Sequence, residues 1–223
     1  VAFTAVPEDM MAKVLMTGFA PFGGESVNPS WQAVSLVGAR RNDVVAVELP
    51  CEFAASLPAL RRAVEEHRPS LVVCVGQAGG RFDVTPERVA INLIDARIPD
   101  NAGAQPIDVP VVPDGPAAYF TTLPVKACTA AIRAAGVPAS VSHTAGTYVC
   151  NQVFYGLMHL LATDFPGVRG GFVHVPFSPE QVAAAGKPAP SLSVEKIADA
   201  LEALADTASR VTEDLPVSAG AEH

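Results

Sequence analysis

The chain has 223 residues, of which 49% are hydrophobic and 17% charged, a balance that argues for a compact folded body and against disorder. Its formal charge of -8 and pI near 5.0 speak against attraction to nucleic-acid phosphates. Its longest apolar runs, such as "LVVCVG" and "GFVHV", fall well short of the roughly 18 to 20 residues that span a bilayer.

The first twelve residues, "VAFTAVPEDMMA", lack the basic start and long apolar core of a signal peptide. They read as a loose leader, with Met10 or Met11 a candidate natural start. From there strands and helices alternate, the pattern of an α/β layer fold. "KVLMTGF" (13–19) is an apolar strand running into a glycine-containing loop. Asn28 caps a helix with Pro29 at its first position, "NPSWQAVSLVGAR", ending near Gly38. "VVAVELP" (44–50) is the second strand, and "LPALRRAVEEHRPS" is a helix that stops before Pro69. The uninterrupted apolar run 71–76 then suits a strand covered on both faces.

"ERVAINLI" (87–94) alternates polar with apolar residues, as a further strand would. Between Pro99 and Pro116 the chain carries five prolines and two glycines with no helical or strand period; loops of this length in compact domains are usually functional lids, interfaces or mobile segments. Next come the helix "VKACTAAIRAAG", the strand "PASVSHT", a helix from Cys150 to about Asp164, and the strand "GGFVHV" (170–175). In the last helix Ile197, Leu201, Leu204, Ala208 and Val211 recur at steps of four and three, behind Ser193 as N-cap and Glu195 in the first turn. A polar tail follows. No repeat or second composition regime interrupts the chain, so a single domain over 13–212 is expected, with 213–223 as tail.

Four cysteines, Cys51, Cys74, Cys128 and Cys150, show no C-x-x-C spacing, which points to a reducing cytoplasm. Cys74 and Cys128 sit in apolar segments where a small hydrophobe would serve. Cys150 lies at the start of a helix, where unpaired N–H groups and the helix dipole favour a thiolate and would lower its pKa toward neutrality. The competing reading is a packed structural cysteine, which composition alone favours. His174, near the end of an apolar strand, stands where catalytic groups collect in open α/β sheets, and it could take a thiol proton. The other reading is a satisfied histidine at a strand end. His67 and His159 fall on helices among solvent-type residues, and His223 is in the tail; all three look inert. Glu87 could project inward and orient a histidine, but an ordinary surface ion pair with Arg88 ranks first on residue type alone.

"TGFAPFGG" and "GQAGGR" both follow strands, yet neither is G-x-G-x-x-G or G-x-x-x-x-G-K-[ST], and no lysine waits at a helix start. Dinucleotide and P-loop sites are therefore weakly supported. No His/Cys/Asp/Glu cluster has zinc spacing, so no metal site is expected.

Four segments together resemble pyrrolidone carboxyl peptidase, also called pyroglutamyl peptidase I: "KVLMTGFAPFGGESVNPSWQAV", "VGQAGGRFDVTPERVAINLIDARIPDN", "SHTAGTYVCNQVFYGLM" and "GGFVHVPFSPEQ". The likeness runs from about Lys13 to Val211. It implies a cysteine peptidase that removes N-terminal pyroglutamate from peptides through an acyl-enzyme, built as a three-layer α/β/α sandwich around a mixed, mostly parallel twisted sheet. The resemblance further implies no cofactor, a cytoplasmic location and a homotetramer. Matched by motif, the nucleophile falls on Cys150, the base on His174 and the acid on Glu87. The lactam pocket falls on Phe19, Phe22, Gln77, Ile98, Tyr148 and Val149. Tyr148 stands where the family often has phenylalanine, and Cys51 replaces a threonine or apolar residue; Arg97 receives no chemical role. A phosphorylase-like enzyme using the glycine loops for phosphate and nucleoside is the alternative.

Overall fold

A computed structural model describes residues 14–220. The expected leader 1–12, Lys13 at the head of the first strand and His223 lie outside the described residues. The elements run β1 (Val14–Phe19), α1 (Pro29–Arg40), β2 (Val44–Leu49), α2 (Ser56–His67), β3 (Leu71–Gln77), β4 (Thr85–Pro86), β5 (Val89–Ile91), β6 (Ala118–Phe120), α3 (Val125–Ala134), α4 (Val149–Thr163), β7 (Arg169–Val175), α5 (Pro179–Ala185) and α6 (Val194–Arg210).

The main sheet has the order β2-β1-β3-β7-β4. β1, β2, β3 and β7 are parallel neighbours, and β4 pairs antiparallel with β7. Alternation along these strands feeds two separate cores. Val14, Met16, Val73, Val75, Val173 and Val175 pack under α1, α3 and α6, while Leu15, Val72, Cys74 and Phe172 pack under α2 and α4. This is the expected three-layer arrangement around a mostly parallel sheet. Strands buried on both faces need no polar side, which is why β3 reads as a continuous apolar run. The chain leaves β1 to one side for β2 and returns on the other side for β3. The carboxyl ends of β1 and β3 therefore flank a topological switch point, the crevice where open α/β sheets place their ligands.

Local chemistry explains the helix starts. The Asn28 side chain accepts from Ser30 N at 3.0 Å, with Pro29 behind it, and the Ser30 hydroxyl accepts from Phe19 N at 3.0 Å. These bonds press the start of α1 onto the end of β1. A methyl group on Gly18 would meet the Trp31 backbone at 2.5 Å, so only glycine permits the approach. α1 runs past Gly38 to Arg40. Ser193 caps α6, accepting from Lys196 N at 3.3 Å, and Ile197, Leu201, Leu204 and Ala208 are fully buried. Burying each leucine contributes roughly 1.5 to 3 kcal/mol. Val211 lies just past the helix as its C-cap. Beyond it, Asp214 accepts from Lys126 N at 3.0 Å and Ala127 N at 2.9 Å. It thereby caps α3, whose own N-cap is Pro124 and carries no capping side chain.

Two expected strands take a different form. Of the alternating run 87–94 only Val89–Ile91 is a strand: β4 ends before it at Pro86 on the main sheet, and β5 joins β6 in a separate two-stranded ribbon. "PASVSHT" makes only isolated bridges, Val84 with Ala139 and Glu87 with Ser142. Prolines at 86 and 138 lack the N–H that a continuous ladder requires. The seven-residue helix α5, closed by a capping box between Ser178 and Gln181, has no counterpart in the expected order. The segment 99–116 stays irregular, as its prolines imply, but it is anchored. Asp100 is buried and its carboxylate accepts from Phe53 N at 2.7 Å and Ala104 N at 2.8 Å.

Candidate active site

β7 and the residues that follow β4 bring Phe172, His174 and Glu87 to one face. His174 is the ladder partner of Gly76 and, across the antiparallel pair, of Thr85. Glu87 follows two residues after Thr85, its N–H bonded to Phe172 O at 2.9 Å, so its side chain rises on the face that carries Phe172 and His174. The His174 Nδ1 lies 2.7 Å from Glu87 Oε1. Glu87 is 0% and His174 4% exposed. The ion pair with Arg88 does not form: Arg88 Nη2 donates to Ala219 O at 3.0 Å instead. Arg81 takes that place, its Nη1 lying 2.7 Å from the same Oε1.

Cys150 arrives from the layer above. α4 begins at Val149 with Tyr148 as N-cap, and no side chain caps its first turn. A methyl group on Gly76 would lie 2.8 Å from the Cys150 Sγ and 2.8 Å from Phe172 Cζ. The sulfur therefore rests against the bare Cα of Gly76, beside the strand position that carries His174. Of the four cysteines, Cys150 alone is half-buried, and the other three are buried.

Electrostatics follow from this burial. Burial, the largest influence, pushes the Glu87 carboxyl up, but the hydrogen bond and charge of His174, then Arg81 and Ser142, together hold it below the usual carboxylate range. Burial lowers His174 against the opposing pull of Glu87. A neutral imidazole facing an acceptor-only carboxylate must carry its proton on Nδ1, which leaves the Nε2 lone pair free to accept one. Burial also pushes the Cys150 thiol up, aided by Cys51 and Glu87 and opposed by Arg81. The helix terminus was expected to lower this thiol toward neutrality, and that expectation is corrected. Desolvation of the thiolate outweighs the terminus, so the resting pair is a neutral thiol and a neutral imidazole.

Around the sulfur, aromatic rings form a wall. The Tyr148 ring sits 6.1 Å from Phe22 and 5.3 Å, edge-on, from Phe53, and its hydroxyl donates to Pro99 O at 3.0 Å. Gln77 is half-buried and accepts from Gln181 Nε2 at 2.9 Å. Phe19 is 2% exposed and packs on Phe172 with ring centroids 6.4 Å apart. Ile98 is half-buried. Val149 is fully buried in the core beneath α2 and α4. Cys51 is buried against Tyr148, and burial pushes its thiol up to about 12. His159 lies apart from these groups, its Nδ1 2.9 Å from the Tyr119 hydroxyl.

Phe53 and Arg81 are the site residues that sequence reading missed. Arg81 ends "GQAGGR", a segment weighed only as a phosphate loop. Among the described residues, no group of three or more His, Cys, Asp or Glu side chains is placed to hold a metal ion. No helix is long and apolar enough to cross a membrane among those residues.

A family model described as pyroglutamyl peptidase matches residues 12–211. The chain belongs to that family. The pyrrolidone-carboxylate peptidase of Streptomyces coelicolor is 63% identical over 218 residues, covering 96% of this chain and 100% of the relative. That of Bacillus subtilis is 51% identical over 217 residues, covering 96% of this chain and 100% of the relative. Among solved structures, pyroglutamyl peptidase I from Bacillus amyloliquefaciens superposes with a TM-score of 0.90 at 50% identity, over 94% of this chain and 100% of the other. Family members are cysteine-type hydrolases. This membership leaves the phosphorylase-like alternative without support.

Proposed function

We propose that the chain hydrolyses the bond between an N-terminal pyroglutamyl residue and the rest of a peptide, with Cys150 as nucleophile, His174 as base and Glu87 as its orienting acid. The observation that carries this reading is the 2.7 Å contact between His174 Nδ1 and Glu87 Oε1, on the sheet face where the Cys150 sulfur rests against Gly76.

His174 Nε2 accepts the thiol proton as the sulfur attacks the pyroglutamyl carbonyl, and an S–C bond forms. The oxyanion that develops is met by the uncapped N–H groups at the start of α4. Protonated His174 returns its proton to the leaving amine, the C–N bond breaks, and a thioester remains. Water attacks that thioester, giving its proton to His174, and free pyroglutamate leaves with the thiol restored. Because both resting partners are neutral, the proton moves in concert with attack. Glu87 stabilises the imidazolium that forms.

Selectivity follows from polarity. Pyroglutamate is a flat, neutral lactam, whereas an ordinary N-terminus is an ammonium ion whose burial beside Phe19, Phe22 and Tyr148 would cost several kcal/mol. Gln77 supplies an amide to the lactam, while Ile98 and Val149 complete the pocket. We assign the protein to the cytoplasm, in line with four free cysteines, and to a homotetramer, for which the exposed Phe82, Ile107 and Phe120 supply apolar contact surface. The decisive experiment is release of fluorophore from a pyroglutamyl amide under reducing conditions by wild type, Cys150→Ala, His174→Ala and Glu87→Gln. A wild type that leaves the amide intact overturns the peptidase reading. A Cys150→Ala variant that matches wild type removes the nucleophile.

A further inference from the structure

Among the described residues, Arg81 is the one permanently charged cation that meets the buried carboxylate of Glu87. Its guanidinium has three partners at once. Nη1 donates to Glu87 Oε1 at 2.7 Å and also to the Thr85 hydroxyl, while Nη2 donates to the Thr144 carbonyl at 2.9 Å. Thr85 is the ladder partner of His174, and Thr144 lies in the segment that leads into Tyr148 and Cys150. One side chain thus ties the strand carrying the acid to the segment delivering the nucleophile. It does so on the oxygen that also receives His174, because Glu87 Oε2 has no hydrogen-bond partner.

A wholly buried carboxylate is costly unless paired. His174 supplies Glu87 with a hydrogen bond at 2.7 Å, and Arg81 is the partner on the same oxygen whose positive charge does not depend on pH. Arg81 is itself only 25% exposed, which shields the pair from screening. Its planar fork matches this triangle of acceptors, whereas a lysine ammonium reaches one of them as a point charge.

We infer that Arg81 is a positioning residue of this active site, holding Glu87 Oε1 on His174 and locking the Glu87 strand to the segment that presents Cys150. The inference rests on the proposed roles of Cys150, His174 and Glu87. Beyond Arg81, the polar or titratable neighbours of Glu87 are His174 on β7 and Ser142 ahead of α4. Those of Cys150 are Cys51, Glu87, Arg81 and Cys74. Removing the guanidinium thus takes away the cation that both acidic partners share.

The test uses Arg81→Met, Arg81→Lys and Arg81→Ala in the full chain, with thermal unfolding recorded for each. A positioning role lowers kcat on the order of 10- to 100-fold in Arg81→Met with little change in KM. Arg81→Lys recovers part of that loss. Millimolar guanidinium chloride, against sodium chloride at equal ionic strength, raises the rate of folded Arg81→Ala and leaves Glu87→Gln unchanged. Iodoacetamide alkylation of Cys150 supplies a readout that needs no peptide, and it slows in Arg81→Met. Wild-type kcat and an unchanged alkylation rate in Arg81→Met would overturn the inference. So would a lost unfolding transition together with no guanidinium rescue, since both mark a structural role. Arg81-dependent alkylation in a wild type that leaves the pyroglutamyl amide intact would support the positioning role and overturn the peptidase reading alone.

Discussion

Gly76 and Cys150 are matched by an absence: the sulfur occupies the space in which any other residue at 76 would begin its side chain, with only 2.8 Å between the Sγ and that added carbon. Substituting alanine there overpacks against both the sulfur and Phe172, at a cost of about 1 to 3 kcal/mol. It also displaces the nucleophile, and an error of about 1 Å can remove on the order of 100-fold in rate. Gly76→Ala is therefore expected to lose far more kcat than stability, checked by steady-state kinetics beside thermal unfolding. Full activity in Gly76→Ala would contradict the close approach.

Tyr148 reaches across the site to the irregular segment at Pro99 through one hydrogen bond of 3.0 Å. Tyr148→Phe keeps the ring between Phe22 and Phe53 and removes that bond, worth about 1 kcal/mol, together with the hydroxyl's interaction with the Cys51 thiol. The expected result is a raised KM for pyroglutamyl amides with kcat nearly unchanged. A fall in kcat at constant KM would instead assign the hydroxyl to the chemistry.

Alkylation distinguishes the cysteines. Burial pushes Cys51, Cys74 and Cys128 up to about 12, and only Cys150 is half-exposed. Iodoacetamide on the native protein is expected to label Cys150 first, identified by peptide mass. Its rate should rise into alkaline pH with a midpoint above the roughly 8.5 of a free thiol. A midpoint near neutrality would mean that the helix terminus outweighs desolvation after all.

Stability carries the same buried groups with opposite signs. The His174 pKa is lowered from 6.5, so below 6.5 the unfolded chain binds a proton that the native state refuses, and stability falls with falling pH. Glu87, also lowered, adds to this loss as pH drops below its unfolded value of 4.5. The three buried thiols rise from 9.0 to about 12. Above 9.0 the unfolded chain therefore releases protons that the native state keeps, and stability falls again. Denaturant unfolding across pH is expected to give a plateau between about 6.5 and 9. His174→Phe would flatten the first stage of the acid limb.

Several elements were legible in one dimension because their causes are local. Asn28 and Pro29 announce α1, Ser193 and the spacing of Ile197, Leu201 and Leu204 announce α6, and an unbroken apolar run announces β3. In each, neighbours within a few residues set the backbone. The segment 87–94 forms a strand only in part because alternation records which residues turn inward, not which strand they pair with. Pro86 ends one pairing, and β6, lying some distance along the chain, supplies the next.

For the site, the sequence by itself determined the family through its long ordered motifs, and with it the residues Cys150, His174 and Glu87 as candidates. Only the tertiary structure decided that Glu87 turns to His174 and Arg81 and away from Arg88, that Val149 keeps its side chain in the core, and that the Cys150 thiol is raised. Those outcomes depend on burial and, apart from the Arg81–Glu87 pair, on contacts between segments 60 or more residues apart, such as Arg81 with Thr144. The energy of a charge is set by what surrounds it in space, and spacing along the chain does not carry that quantity.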